Sequence, residues 1–214
     1  MTIHKLFLAT ALLASTALGS AAHANPVAIG YSLGNSSTIT VLDTGNGSAG
    51  VTGSKVGTYT ISLSATGTPA MTDPNFGSNT LTIRSAGQGT ITLYATEQNN
   101  NAVIPSFNIG FSNNPLSDYS ITESFYASST NVAFATTDLL ASATLLPGVT
   151  QSMMAPFSLT TPYSITEVYR ITFAGAGAVD ATILERANVP EPMSMAILGA
   201  GLAGLGMTRL RRKA

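Results

Sequence analysis

The stretch YTISLSAT, residues 59–66, decides the fold class of this chain. Tyr59, Ile61, Leu63 and Ala65 alternate in it with serine and threonine over eight residues. Successive side chains of a β-strand point to opposite faces, so one face of this segment is apolar and the other carries only hydroxyl groups. The segment therefore predicts a strand with one face in a core and the other in water.

The same two-residue period recurs along the rest of the chain. It is present in residues 81–83, 91–95, 107–111, 119–125 and 169–173. Clusters of glycine, asparagine and proline, such as Asn46-Gly47, separate these segments and are typical of turns. Only residues 137–146, around Asp138–Ala141, have a pattern that predicts a helical turn or two. Many short strands with one polar face each predict an all-β fold, an antiparallel β-sandwich that is jelly-roll-like.

Composition excludes several classes of function. The chain has 214 residues, of which only 9% are charged, and it contains no cysteine. Disulfide scaffolds, thiolate metal sites and cysteine nucleophiles are therefore excluded. Both histidines, His4 and His23, lie in the first 24 residues. Residues 25–188 contain only four basic side chains, so nucleic acid is not an expected partner. We expect no cofactor.

The N-terminal segment, residues 1–24, has the organisation of a secretory signal peptide. A cationic stub is followed by an apolar run over residues 6–18 and then by Ala22-His23-Ala24. Small residues at Ala22 and Ala24 are typical of a signal peptidase site. We therefore expect the secretion machinery to export the chain and cleavage to leave Asn25 as the first residue.

The C-terminal segment predicts a single membrane span. Met193–Leu210 is an apolar run, about 27 Å long as a helix, which is close to the thickness of a bilayer's hydrocarbon core. A basic cluster ends the chain, formed by Arg209, Arg211, Arg212 and Lys213. Because basic residues flanking a span stay in the cytoplasm, this cluster predicts a stop-transfer signal with residues 25–188 outside.

The residues before this run complete a known pattern. Val189-Pro190-Glu191-Pro192, a short span and a terminal arginine cluster resemble a PEP-CTERM sorting signal. The resemblance implies an inner-membrane precursor that exosortase recognises at Pro190, Glu191 and Pro192. It also implies a Gram-negative bacterium that makes exopolysaccharide, and a mature protein at the cell surface or outside the cell. Residues 156–183 are similar to the last strands of small exported domains with such tails.

These signals divide the chain into three parts. Residues 1–24 are the predicted signal peptide, residues 25–188 the exported β-sandwich domain, and residues 189–214 the sorting signal. The sorting signal comprises the motif, a transmembrane helix and the basic tail.

Residues 25–188 contain no recognisable catalytic or metal-binding motif. Paired carboxylates are a common mechanism that needs neither histidine nor cysteine, but no two of the nine acidic residues share a motif. The loop at residues 43–48 alternates oxygen-bearing side chains with glycines and lacks the spacing of a calcium loop, which favours a turn. We therefore predict a protein that is not an enzyme, and keep a polysaccharide-active enzyme as the less favoured alternative.

One acidic residue lies where an apolar one is expected. Glu167 shares its alternation face with Ile165, Tyr169 and Ile171. A carboxylate on a buried face needs a hydrogen-bond donor. The sequence therefore predicts either a break in the register or a donor, such as Arg170 or a backbone amide.

Tyrosines are the candidate ligand-binding residues, because their rings can stack on sugars. The candidates are Tyr31, Tyr94, Tyr119, Tyr126, Tyr163 and Tyr169. Tyr59 and Tyr119 are expected to fill the core instead. A carbohydrate-binding module is thus one hypothesis. The favoured one is a non-enzymatic exported surface or matrix protein that associates with exopolysaccharide or biofilm.

Overall fold

The computed structural model describes residues 24–71, 74–115, 119–146 and 148–188. These residues form twelve β-strands. The strands are β1 (Pro26–Leu33), β2 (Thr40–Asn46), β3 (Ser48–Val56), β4 (Tyr59–Thr66), β5 (Phe76–Ser85), β6 (Gly89–Asn100), β7 (Ser106–Pro115), β8 (Tyr119–Ser128), β9 (Asp138–Leu145), β10 (Thr150–Pro156), β11 (Tyr163–Phe173) and β12 (Gly177–Ala187).

The strands form two six-stranded antiparallel sheets. Sheet A has the order β2-β1-β6-β11-β8-β9, and sheet B has the order β10-β7-β12-β5-β4-β3. The apolar faces of the two sheets pack on each other and form one core. The predicted all-β, sandwich-like architecture is confirmed.

The core follows the two-residue period of the sequence. Residues 59–66 form β4 over their whole length, and Tyr59, Ile61, Leu63 and Ala65 are all buried. The five other periodic segments lie in β5, β6, β7, β8 and β11. Burial of alternate side chains leaves a face of serine and threonine on the outside of each sheet, and that face is where a ligand can reach the protein.

The helical turns predicted for residues 137–146 are wrong, because this segment forms strand β9 in sheet A. Ala141, Ala143 and Leu145 point inward and are buried, and β9 pairs with β8 through Phe125 and Ala141. Two of the three inward side chains are alanines, which are so small that the sequence of this segment shows no clear two-residue period of large apolar residues. Pairing with β8 therefore decides the conformation of β9, as tertiary context often overrides local propensity.

Both described ends of the chain lie at one end of the sandwich, on the β4–β5 connection. The amide of Asn25 donates to the carbonyl oxygen of Thr68 (3.2 Å), and the amide of Ala187 donates to Oδ1 of Asn75 (2.7 Å). The two terminal segments that carry the predicted sorting information therefore leave the domain close together. The signal peptide and the transmembrane helix that the sequence predicts lie outside the described residues. Within the described ranges, no helix has the length and apolarity to cross a membrane.

Candidate functional site

The residues predicted for sorting lie almost wholly beyond the described part of the chain. This holds for Ala22, for the motif Val189, Pro190, Glu191 and Pro192, and for the basic residues Arg209, Arg211, Arg212 and Lys213. Asn25 is described and is 7% exposed. Asn188, at the other end, donates its amide to the carbonyl oxygen of Ser106 (2.9 Å). The described part of the sandwich thus extends to the residue immediately before the motif.

Two glutamates meet inside the core, where β8 and β11 run side by side. Glu123 and Glu167 are both 0% exposed, and Tyr169 lies directly opposite Glu123 across the two strands. The amide of Ser78 in the facing sheet donates to Oε2 of Glu167 (3.0 Å). The predicted donor for Glu167 is therefore a backbone amide, and the alternative donor Arg170 bonds to Asn35 instead.

Irregularities in sheet B supply the donors for this cluster. The β4–β5 register shifts next to Ser78, and the β5–β12 register shifts between Ala181 and Leu184. Such shifts leave backbone amides without a partner in the ladder. The amide of Ile183 donates to the hydroxyl of Tyr169 (2.8 Å), and the Ser78 and Tyr169 hydroxyls contact each other. The two bulges thus stabilise polar groups that a regular sheet would leave unsatisfied.

Burial keeps both carboxyls protonated at neutral pH. Burial and the nearby charge of Glu167 raise the pKa of Glu123 to about 9, although the Ser112 amide opposes the rise. Burial raises the pKa of Glu167 to about 8, against the lowering effect of the hydrogen bonds from Ser78.

This acidic pair has the wrong location for glycoside hydrolysis. General-acid catalysis requires the carboxyl to reach the scissile bond, and both side chains are sealed in the core. The turn predicted for residues 43–48 is limited to Gly47 in the structure, because residues 43–46 are the end of β2 and Ser48 begins β3. Oδ2 of Asp43 accepts the amide of Gly50 (2.8 Å). Within the described residues, no three acidic or histidine side chains are grouped to hold a metal ion.

The outer face of sheet A carries a groove of about 420 Å³, which we call the sheet A groove. Strands β6, β8, β9 and β11 and the β8–β9 connection form it. Its lining residues are Thr92, Tyr94, Thr122, Ser124, Tyr126, Thr136, Ser142, Val168 and Arg170. None of them is acidic.

The groove brings two of the six candidate tyrosines together. Tyr94 pairs with Val168 of β11, and Tyr126 pairs with Thr166 on the other side of that strand. The two tyrosines therefore lie two strands apart, about 10 Å from each other across the sheet. Both are half-buried, and the Tyr94 ring is supported edge-on by Phe134, with centroids 6.0 Å apart. Both rings are thus accessible to solvent, and Phe134 holds the ring of Tyr94.

The other candidate tyrosines do not reach this face. Tyr163 and Tyr169 are 0% exposed, and Tyr31 and Tyr119 pack against the core. Tyr59 fills the core, as predicted.

Hydroxyl groups and one cation supply the polar part of the groove. Ser124 and Ser142 share a hydrogen bond between their hydroxyls (2.8 Å), as do Thr122 and Thr144 (3.0 Å). Arg170 is exposed, and its guanidinium donates to Oδ1 of Asn35 (2.8 Å). Paired hydroxyls, two rings and a guanidinium suit recognition of a polyhydroxylated ligand, and the lining contains no carboxylate that could act as acid or base.

The sequence identified Tyr94 and Tyr126 and missed the rest of the groove. Thr122 and Ser124 stand at the polar positions of a predicted strand, so the alternation could have indicated them. Ser142 comes from the segment predicted to be helical, residues 137–146, and Thr136 immediately precedes that segment. Their place beside β8 depends on the pairing of β9, which no local pattern revealed.

Comparison with solved structures gives distant likenesses to β-proteins. TmCBM61 in complex with β-1,4-galactotriose has a TM-score of 0.36 and 7% identity, over 62% of this chain and 90% of that one. The enzymatically active domain of bacteriophage CBA120 tailspike protein 4 has a TM-score of 0.33 and 9% identity, over 62% and 20%. A mutant of CBM29-2, a family 29 carbohydrate-binding module, has a TM-score of 0.28 and 11% identity, over 74% and 92%. Likeness at this level is no argument for a shared ligand.

The comparison with known sequences concerns the end of the chain. No curated protein matches the sequence. Residues 188–213 match the family model of the PEP-CTERM protein-sorting motif, which confirms the resemblance drawn from Pro190, Glu191 and Pro192. The chain therefore carries a PEP-CTERM sorting signal. Such a signal implies that the protein is exported and that its precursor is anchored in a membrane before processing.

Proposed function

We propose that this chain is a non-catalytic exported surface protein whose β-sandwich, residues 25–188, binds an extracellular polysaccharide along the sheet A groove. Secretion follows cleavage between Ala24 and Asn25, and exosortase then processes the precursor at Pro190–Pro192. The mature protein belongs to the cell surface or to the exopolysaccharide matrix.

The single observation that carries the binding proposal is the shared position of Tyr94 and Tyr126. Both rings line one groove whose remaining surface is formed largely by serine and threonine hydroxyls. Sugars present apolar ring faces and a rim of hydroxyl groups, so aromatic rings set among hydroxyls match both kinds of surface. The exposed guanidinium of Arg170 adds a donor that favours acidic or hydroxyl-rich sugars.

Removing a ring is expected to weaken polysaccharide binding. We expect Tyr126→Ala to lower affinity for the ligand by about tenfold, which is the effect of about 1.4 kcal/mol of lost stacking. Tyr126→Phe keeps the ring and should retain most of the affinity. Affinity electrophoresis against purified bacterial exopolysaccharides measures both, and Thr60→Ala, on a strand of sheet B, is the control.

Two results would contradict the binding proposal. Equal retardation of the wild type and Tyr126→Ala would show that the groove does not bind the polysaccharide. Release of reducing sugars by the wild type would show that the protein is an enzyme.

The sorting proposal has a separate test. We expect Glu191→Ala and Pro192→Ala to leave the uncleaved precursor in the inner membrane, because the substitutions remove residues by which exosortase recognises the motif. Removing the last four residues that carry basic charge, Arg209, Arg211, Arg212 and Lys213, is expected to disturb orientation in the membrane instead. Cell fractionation and mass measurement of the mature C-terminus distinguish the two outcomes. Normal release of Glu191→Ala with unchanged mass would reject exosortase processing.

A further inference from the structure

The sandwich has two open sides, and the edge strands of sheet B at these sides, β3 and β10, differ in the features that block strand pairing. Strands β2 and β3 form the first side, where β3 has an exposed Lys55 and a register shift between Val51 and Ser54. Charges and bulges at sheet edges prevent pairing with other chains. Asp43 adds a charge on β2.

Strands β9 and β10 form the second side, and β10 has neither kind of protection. Residues 139–156 contain no charged side chain. All seven residues of β10 pair with β7 from Thr150 to Pro156 without a register shift. β10 is the end strand of sheet B in the described part of the chain, so its outer edge offers backbone donors and acceptors for another strand.

Exposed apolar side chains are concentrated on the same side of the molecule. Leu139, Leu146, Val149 and Met154 are 55%, 74%, 41% and 70% exposed. These are four of the eight large apolar side chains exposed in the described ranges, and they fall within sixteen residues, 139–154. Association would remove this surface from water.

A trough runs beside β10 on the outer face of sheet B. It has a volume of about 530 Å³, and Thr150 and Ser152 of β10 line it together with Gly110 of β7 and Leu184 of β12. Gly110 leaves room there, because a Cβ at this position would touch only the backbone oxygen of Leu184, at 3.6 Å. The trough can accept an apolar side chain from a partner.

We propose that β10 pairs antiparallel with β10 of a second copy of this chain, about a two-fold axis near Ser152. The pairing joins two six-stranded sheets B into one continuous sheet. With Ser152 opposite its counterpart, Met154 of each copy lies opposite Thr150 of the other and beside the trough. The partner is a second copy because an uncharged strand meets itself without repulsion, whereas self-pairing of β3 would oppose two copies of Lys55.

The first test measures association of the full chain, purified in detergent, by sedimentation equilibrium. We expect a reversible monomer–dimer equilibrium that Met154→Lys weakens by at least about tenfold, because the substitution replaces an apolar side chain at the paired edge by a charged one. Val41→Lys makes the same change on β2, at the opposite side, and should leave the equilibrium unaltered. Circular dichroism checks that both variants are folded. Equal association of the wild type and Met154→Lys overturns the proposal.

The second test uses the absence of native cysteine. Ser152→Cys should form a disulfide-linked dimer with mild diamide oxidation, since residues facing each other across antiparallel strands have Cβ atoms about 5 Å apart. Thr52→Cys, equally exposed on β3, should stay monomeric. Cross-linking of both variants to the same extent, or of neither, rejects pairing through β10. Neither test involves the sheet A groove, so the result is independent of polysaccharide binding.

Discussion

Raising the pH from about 5 to about 8.5 is expected to destabilise the folded protein strongly. Glu123 and Glu167 have an ordinary pKa of 4.5 when unfolded, and burial raises the pKa to about 9 and about 8 in the fold. Between these values the folded chain holds protons that the unfolded chain has lost. Stability therefore falls as pH rises, by about 1.4 kcal/mol per pH unit for each carboxyl, and levels off above pH 9.

Substitution by glutamine isolates this effect. Glu167→Gln keeps an oxygen that can accept the Ser78 amide and removes the ionisation, so the fall in melting temperature with pH should become shallower. Glu123→Gln should do the same, and Asp138→Asn, an exposed site on β9, should leave the slope unchanged. Thermal unfolding followed by circular dichroism at a series of pH values measures all four proteins. A wild type that becomes more stable from pH 5 to pH 8 would show that the pair is ionised in the fold.

Replacing Phe107 by alanine is expected to remove about 3–5 kcal/mol of unfolding free energy. Phe107 belongs to sheet B and is fully buried, and its ring centroid lies 5.4 Å from that of Phe125 in sheet A and 4.9 Å from that of Phe157. The deletion therefore opens a cavity between the two sheets, where neighbouring rings on both sides lose contacts.

A smaller substitution at the same position tests whether the loss of unfolding free energy comes from the cavity. Phe107→Leu fills most of the space and should cost markedly less, whereas Val103→Ala, on the surface, should be close to neutral. Urea unfolding curves give the three free energies. A loss below about 1 kcal/mol for Phe107→Ala would mean that the aromatic cluster does not hold the two sheets together.

The local sequence determined which segments became strands wherever large side chains marked the inward face. Residues 59–66 alternate Tyr, Ile, Leu and Ala with hydroxyl residues, and the strand has those bounds. The pattern is weak where small residues point inward, as at Ala141 and Ala143 of β9. Such a segment takes its conformation from the strand beside it, which the local pattern does not specify.

The sequence predicted that Glu167 either lies on the inward face with a donor or marks a break in the register, and the register of β11 is regular from Ile165 to Phe173. The partners of Glu167 were not evident. Glu123 lies on β8, which follows β11 in the sheet but precedes it in the chain, and the Ser78 amide comes from the facing sheet. Pairing of β8 with β11 brings Glu123 beside Glu167, and the packing of the two sheets brings the Ser78 amide to Glu167.

The sequence by itself identified the sorting signal of this protein, since the residues that match the PEP-CTERM motif are contiguous in the chain. It also determined the two-faced strands, because a period of two is a local property of the backbone. Tertiary structure alone decided which polar faces meet. Tyr94 and Tyr126 became neighbours across β11, and β10 became an unprotected edge, because strand order is set by long-range pairing rather than by adjacent residues.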